Sequence, residues 1–139
     1  HGKSEFIRAI MEGVAYSLRN CLDIIKEMGI PVEEIRASGG GGRSYLWRQI
    51  QADLFGTPIC TINYSEGPAL GAAILAGVGT GVYNSVPEAC DQAIKVVSRQ
   101  DFDPRNKEKY EGFYNLYNKI YRSLKDDFKT LALLSRQTD

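Results

Sequence analysis

Four consecutive glycines, Gly39 to Gly42, form the part of the sequence best suited to hold a ligand, and Arg43 and Ser44 follow them directly. Glycine has no Cβ, so a flat ring or a phosphate can approach the backbone closely. Between a strand and a helix, such a run also presents amides that favour phosphate or other polar ligand atoms. The run fits neither the GxGxxG nor the GxxxxGKS/T fingerprint, and it is equally compatible with a flexible turn that binds nothing.

The remaining side chains exclude several kinds of active site. The single histidine is His1, at the terminus, so a Ser-His-Asp or Cys-His mechanism has no well-ordered imidazole. The cysteines Cys21, Cys60 and Cys90 are far apart and form no CxxC pair. We therefore expect neither a metal site nor a disulfide framework, and a reducing cytoplasm fits this cysteine usage best.

The charge balance limits the partners. The chain has 17 Lys and Arg against 17 Asp and Glu, which argues against nucleic acid or a membrane surface as partner. Tyrosines recur at helical spacing over residues 110–121 and could stack on bases, but the flanking charges alternate in sign and offer no electrostatic groove. An amphipathic helix that docks on its own domain is the better interpretation of this stretch.

Residues 67–87 carry no charge, and their GPALG start has the small-xxx-small spacing of packed membrane helices. The stretch has too few large apolar side chains to drive insertion into a bilayer, and no signal peptide is visible at the N-terminus. We interpret it as a buried helix of small residues packed tightly against a sheet.

Hydrophobic spacing and turn residues divide the chain into alternating helices and strands. We predict helices over residues 4–28 and 44–55, from residue 68, and over 86–94 and 104–134. Ser4 is the expected cap of the first helix, and Gly29 and Gly56 are the expected ends of the first two. We predict strands over residues 34–38 and 58–62 and an extended piece at 96–97.

This order of elements implies parallel strands joined by crossover helices, and hence an α/β domain. The length of 139 residues is that of one domain. Parallel sheets need both faces covered, however, and two short strands make a poor sheet by themselves. We therefore expect residues 1–139 to be a single-domain fragment, the C-terminal piece of a longer protein.

The spacing also assigns faces to the first two helices. In the first helix one face carries Phe6, Ile10, Val14, Leu18, Cys21, Ile25 and Met28. In the second helix the expected buried face consists of Leu46, Trp47, Ile50 and Leu54. We interpret Asp53 as a solvated or helix-stabilising charge and Trp47 as a core residue, with a ligand pocket as the alternative for Trp47.

Three segments together point to a known protein family. Residues 5–16 read EFIRAIMEGVAY, residues 38–44 read SGGGGRS with WRQ at 47–49, and residues 66–73 read EGPALGAA. In this order and at these separations they resemble the second signature, the adenosine-binding turn and the third recurring segment of the FGGY carbohydrate kinases. Within that family, the third segment followed by GVGTG at 77–81 is most similar to the xylulose kinases.

The resemblance implies an actin-like, ribonuclease-H-type fold in two domains, with ATP and a sugar in the cleft between them. It implies that antiparallel strands, the phosphate-binding hairpins and the aspartate that acts as general base all lie upstream. No catalytic residue is therefore expected in this chain. Mg²⁺ would be held mainly through the nucleotide and the missing half of the enzyme.

Carried over residue by residue, the resemblance implies a nucleotide-binding site at Gly39, Gly40, Gly41, Gly42, Arg43 and Ser44. The first three glycines would line the adenosine, and Gly42 would complete the turn. Arg43 would lie along the base or ribose, and Ser44 would stand near the adenine edge. Gly42 departs from the alanine common at its position, a change expected to loosen the turn.

Two acidic residues in the matching segments have simpler structural interpretations. Glu12 is a signature residue, and we expect it to bond neighbouring backbone rather than to act in catalysis. Glu66 precedes the third helix, where a carboxylate favours the helix dipole and can cap free amides.

The resemblance implies the ATP/ADP-binding part of a cytoplasmic kinase that phosphorylates a pentulose, with D-xylulose as the first candidate. The alternatives are a kinase for another sugar or polyol (ribulose, gluconate or glycerol) and a non-catalytic nucleotide-binding or interaction module. Alone, the chain is expected to be inactive. The implied partners are nucleotide, sugar, the missing N-terminal domain and, through apolar surface exposed by truncation, a second copy of the chain.

Overall fold

Three short strands form one mixed sheet in the computed structural model, which describes residues 2–64 and 67–135. The strands are β1 (Ile35–Ala37), β2 (Ile59–Ile62) and β3 (Val96–Gln100). β1 and β2 are parallel, with Ile35 opposite Ile59, and β3 pairs antiparallel with β2. The predicted parallel pair is confirmed, and the predicted extended piece is a third strand whose pairing was not foreseen.

The helices alternate with these strands. They are α1 (Lys3–Glu27), α2 (Gly39–Gly42), α3 (Tyr45–Phe55), α4 (Gly67–Gly79), α5 (Val86–Ala93) and α6 (Pro104–Ser135). The connection from β1 to β2 runs through α2 and α3, so helices join the parallel strands as predicted. The glycine run itself is one turn of helix rather than an open turn.

Left-handed glycines end the first two long helices where the sequence predicts. Gly29 has φ +77° and Gly56 φ +59°. The predicted cap at Ser4 is wrong, because Gly2 is the N-cap and its amide donates to the Glu5 carboxylate at 2.7 Å. Glu66 lies outside the described residues, so its predicted cap stays a prediction.

The core lies where α1, α3 and α6 meet around β2. Its buried residues are Ala15, Tyr16, Leu22, Ile50, Ala52, Leu54, Phe55, Ile59, Tyr110 and Tyr114. The Tyr16 ring is central, with ring centroids 6.2 Å from Tyr114 and 5.3 Å from Tyr117. The second half of α3 is buried at six consecutive residues, 50–55, so it is covered on all sides.

The predicted apolar face of α1 and the first residue of the predicted face of α3 are exposed in the described chain. The apolar face of α1 is exposed, with Phe6 and Met28 each at 70%. On α3, Leu46 is 48% exposed, whereas Ile50 and Leu54 are buried as predicted. Amphipathic spacing identifies the apolar side of a helix, but it does not say whether another part of the chain covers that side.

The prediction that α4 is buried against a sheet is wrong. Ile74 is its only residue in the buried class among those described, and the helix packs on α5. The narrow sheet contacts α3 instead. A helix of small residues buries little apolar area per residue, so its composition alone did not decide where it would pack.

The last helix docks on its own domain through its first half, as predicted for the tyrosine-rich stretch. Tyr110 and Tyr114 are buried against α1, whereas every described residue from 119 onward is exposed. The Tyr110 hydroxyl donates to the Glu12 carboxylate at 2.8 Å. Arg8 donates to the same carboxylate at 2.8 Å, so the predicted backbone role of Glu12 is wrong.

Asp53 is a buried anchor rather than a solvated charge, which corrects the prediction. It is 3% exposed. Its carboxylate accepts from the Gln49 side-chain amide at 2.7 Å, from the Asp103 backbone amide at 2.8 Å and from the Asn106 side chain at 2.9 Å. Because α3 is covered on all sides here, a carboxylate is tolerated only with such partners. It ties α3 to the start of α6.

We expect Asp53→Ala to destabilise the chain by roughly 2–4 kcal/mol, because it leaves buried donors without their acceptor. Urea unfolding measures the change. Asp126→Ala is the matched control, since the Asp126 side chain is 91% exposed. The control should change stability by less than about 0.5 kcal/mol. Equal effects of the two substitutions would contradict the anchoring role of Asp53.

Alkaline pH should also weaken the core. Burial, followed by the nearby Glu12 charge, raises the pKa of Tyr16 to about 12. The folded state thus holds this proton more tightly than the unfolded chain, whose tyrosine pKa is about 10. The stability that protonated Tyr16 contributes to the fold is fully present below pH ~10 and is lost as the pH rises through about 12.

Measuring the free energy of unfolding of the wild type and of Tyr16→Phe between pH 9 and 12 tests this pH dependence. Relative to the variant, the wild type should lose stability of the order of 2 kcal/mol over this interval. Tyr45→Phe, at a tyrosine that is 68% exposed, should follow the wild-type curve. Parallel curves for wild type and Tyr16→Phe would show that Tyr16 carries no such linkage.

Candidate functional site

A cavity of about 540 Å³ opens at the edge of the sheet where β1 and β2 end. In open α/β sheets, ligands bind outside the carboxyl ends of the strands. The described lining comes from the turn after β1, from α3, from the end of β2 and from β3. These residues are Ala37, Ser38, Gly39, Gly42, Arg43, Arg48, Thr61, Ile62, Asn63, Tyr64, Val97 and Ser98.

A larger depression of about 1000 Å³ lies along the first turns of α1. Its described lining belongs to one stretch, between Gly2 and Glu12, and includes the exposed Phe6. A surface formed by a single helix has no opposing wall to enclose a ligand. We therefore take the cavity at the strand ends, which the predicted glycine run borders, as the candidate site.

The one-turn helix Gly39–Gly42, here called the glycine turn, lies close against the end of β1. Gly39 begins it with φ +72°, a left-handed conformation that suits glycine. A Cβ on Gly42 would lie 3.1 Å from the Ala37 carbonyl oxygen, which is closer than ordinary van der Waals contact. Glycine at position 42 therefore lets the turn pack closely against the strand. The predicted loosening of the turn relative to alanine stays a prediction.

The predicted site residues divide into two groups. Gly39, Gly42 and Arg43 line the cavity. Gly40, Gly41 and Ser44 are exposed and are not among the lining residues. Contacts between any of these residues and a nucleotide stay predictions.

Ser44 has a structural role in the described chain. It is the N-cap of α3, and its hydroxyl accepts a hydrogen bond from the Trp47 amide at 3.2 Å. Trp47 is half-buried and packs against the core, and its indole nitrogen lies 3.2 Å from the position of a Cβ on Gly41. The predicted contact of Ser44 with an adenine edge stays a prediction, as does the pocket alternative for Trp47.

Six polar residues of the described lining were not among the predicted site residues, namely Ser38, Arg48, Thr61, Asn63, Tyr64 and Ser98. The hydroxyls of Thr61 and Ser98 lie 2.6 Å apart across β2 and β3. The Asn63 side chain accepts from the Lys95 amide at 2.8 Å and donates to the Ala93 carbonyl at 3.0 Å. The wall opposite the glycine turn is therefore fixed by hydrogen bonds.

The sequence contains a signal that could have identified only some of the residues of this wall. Asn63 and Tyr64 directly follow a predicted strand, and the ends of parallel strands share one edge of the sheet. Ser98 could be placed only by knowing that β3 pairs with β2. Arg48 reaches the cavity from the first turns of α3, which the glycine turn brings beside β1.

The described lining is positively charged. Arg43 and Arg48 are its charged residues, and no carboxylate is among them. The Arg48 guanidinium donates to the Gly42 carbonyl oxygen at 2.6 Å. Over residues 2–64 and 67–135, no group of three or more His, Cys, Asp and Glu is arranged to hold a metal ion. The site therefore suits an anionic or phosphate-bearing ligand better than a bare cation.

Cys21, Cys60 and Cys90 are free thiols. Among the described residues, no helix combines the length and the apolar character needed to cross a membrane.

Comparison with known proteins gives consistent matches. Residues 1–80 match the family model for the C-terminal domain of the FGGY family of carbohydrate kinases. A xylulose kinase from Bacillus subtilis is 36% identical over 126 residues, which are 91% of this chain and 25% of that protein.

Solved structures of kinases are also similar. A ligand-bound xylulose kinase from Lactobacillus acidophilus superposes with a TM-score of 0.84 at 28% identity, over 94% of this chain and 26% of that one. A gluconate kinase from Lactobacillus acidophilus gives a TM-score of 0.79 at 30% identity, over 89% and 25%. The chain thus spans about a quarter of the length of the relatives it matches.

The left-handed start of the glycine turn can be tested by a matched pair of substitutions. Gly39→Ala should destabilise the chain by about 1 kcal/mol, because alanine is strained at φ +72° although the space around it is open. Gly40→Ala also enters open space, but its φ is not positive, so it should be neutral or slightly stabilising. Urea unfolding of both variants gives the comparison, and equal changes would contradict the assigned turn geometry.

Proposed function

Because the chain belongs to the FGGY family of carbohydrate kinases, we propose that it is the C-terminal ATP/ADP-binding part of a longer sugar kinase. The observation that carries the proposal is the cavity at the ends of β1 and β2, bordered by the glycine turn, with Arg43 and Arg48 as its charged lining. A cleft of one sign of charge concentrates an anionic ligand. A nucleotide combines a flat base with such an anionic tail.

The chain's own contribution is to bind and orient the nucleotide. The glycine turn offers a surface without side chains on which a base or ribose can rest, and Arg43 stands beside it. Phosphoryl transfer depends on positioning and charge neutralisation more than on covalent catalysis by the protein. This chain forms one wall of the cleft, and domain closure over it excludes water from the phosphoryl being transferred.

The remaining kinase components belong to other parts of the enzyme. The family resemblance implies that Mg²⁺ is held mainly through the phosphates of the nucleotide and by the missing half of the enzyme. The general base and the sugar contacts likewise lie in the N-terminal part. Strands of that part cover the apolar face of α1, and in the isolated chain the exposed face promotes self-association. The kinase acts in the cytoplasm.

The proposed acceptor is a pentulose, D-xylulose first. Support comes from the curated and solved relatives named xylulose kinase. A kinase for another sugar or polyol (ribulose, gluconate or glycerol) is the second candidate, favoured by the similarity to a gluconate kinase at 30% identity.

Titration of the isotope-labelled chain with ADP, followed by NMR, tests the nucleotide site. We expect saturable amide shifts at the cavity lining, from Gly39 to Arg48 and at Asn63, with Gly13 and Gly112 on α1 and α6 unchanged. Arg43→Gln should weaken binding several-fold, because Arg43 is exposed and one exposed charged contact contributes up to about 1 kcal/mol. Arg105→Gln should not, because the Arg105 side chain is 90% exposed and pairs with Asp103 outside the cavity. A well-dispersed spectrum that stays unchanged at millimolar ADP would refute the site.

The acceptor is tested on the full-length protein that contains this chain. ATP consumption should depend on sugar and be fastest with D-xylulose in a panel that includes D-ribulose, gluconate and glycerol. The 139-residue chain alone should release no sugar-dependent ADP. If the full-length protein binds ADP but phosphorylates none of the panel, the non-catalytic nucleotide-binding module replaces the kinase proposal.

A further inference from the structure

A continuous row of hydrogen bonds runs from the glycine turn to the start of α6. It begins at the Gly42 carbonyl, to which Arg48 Nη1 donates at 2.6 Å. Arg48 Nε donates to Gln100 Oε1 on β3 at 3.2 Å. Gln100 Nε2 then donates to Gln49 Oε1 at 2.7 Å, and Gln49 Nε2 to the Asp53 carboxylate at 2.7 Å.

Gln100 occupies the middle of this row and has one satisfactory orientation. It is 7% exposed. Its amide nitrogen donates to the Tyr45 carbonyl at 3.2 Å as well as to Gln49, while its oxygen accepts from Arg48. Rotating the amide by half a turn would face its nitrogen toward a guanidinium and its oxygen toward two acceptors. The surroundings therefore fix where the oxygen points, and that oxygen orients Arg48.

The glycine turn needs an external constraint of this kind. Four glycines have little intrinsic preference for one backbone conformation and lose more freedom on ordering than other residues. A charge-assisted hydrogen bond to the carbonyl of the last glycine is strong and directional. Gly42 also abuts Ala37, so the carbonyl and the Cα side of this residue are both held.

We propose that Arg48 and Gln100 are positioning residues that hold the glycine turn in the conformation that binds the nucleotide. Gln100 acts only through Arg48, because it is not among the residues that line the cavity. This inference rests on the proposed nucleotide site above. It adds that affinity for the nucleotide depends on a buried glutamine of β3 that does not touch the ligand.

The test compares Gln100→Met and Gln100→Glu in the full-length enzyme. Both substitutions remove the donor to Tyr45 and Gln49, but only glutamate keeps an acceptor facing Arg48. We expect Gln100→Met to raise the KM for ATP roughly three- to tenfold, which is the range for losing one typical intramolecular hydrogen bond. Gln100→Glu should stay near the wild-type value. The sugar KM and kcat should change little in either variant, whereas thermal stability should fall in both.

A double-mutant cycle with Arg48→Met shows whether Gln100 acts through the arginine. In the Arg48→Met background, Gln100→Met should cause no further increase in the KM for ATP. Additive increases would overturn the inference, as would equal KM values for the two Gln100 variants. If Gln100→Met does not fold, Arg48→Lys takes its place and should raise the KM for ATP, with Arg122→Lys on the exposed half of α6 as the unchanged control. An unchanged KM in Arg48→Lys would also overturn it.

A result different from those above would overturn the proposed function itself. If the wild-type enzyme shows no saturable dependence on ATP or ADP, the nucleotide site itself is wrong. If the wild type saturates with ATP and the variants behave alike, only the positioning role of Gln100 is wrong.

Discussion

The burial of α3 on all sides is the constraint on which the rest of the structure depends. Its second half supplies Ile50 and Leu54 to the core, and α1, α6 and the sheet all pack against it. A helix buried in this way cannot leave polar groups without partners. Asp53 and its neighbours on the helix are therefore bonded to the elements around it. Those bonds determine where α6 begins and how the glycine turn is held.

The sequence predicted the order and most boundaries of the elements because local signals determine them. Gly29 and Gly56 end helices through their backbone freedom, and this property is visible at single positions. Burial was predicted less well, since it depends on which distant segments meet. The apolar spacing of α1 correctly located a face, yet that face is exposed in the described chain. Asp53 was misinterpreted for the same reason, because its partners Asp103 and Asn106, just before and within α6, are about 50 residues away.

The candidate site shows the same division between local and distant information. The glycine turn is a contiguous motif, so both its own residue types and the family resemblance pointed to it. The opposite wall is assembled from β2 and β3 by strand pairing, and Thr61 and Ser98 meet only in the folded chain. Family membership extends the argument to nucleotide chemistry. The proposed acceptor sugar rests on relatives alone, because this chain spans only about a quarter of their length.

The second half of α6 projects from the domain as a long exposed helix. About 17 residues at 1.5 Å each extend roughly 25 Å past the last contact with the core. The docked first half of α6 is held by Asn106 at the buried carboxylate of Asp53, where the hydrogen-bonded row from the glycine turn ends. A tilt of 10° about the last contact with the core would carry the distal end of this segment through about 4 Å, by the same geometry. Small rotations of the docked half of α6 are thus magnified at the far tip of the helix.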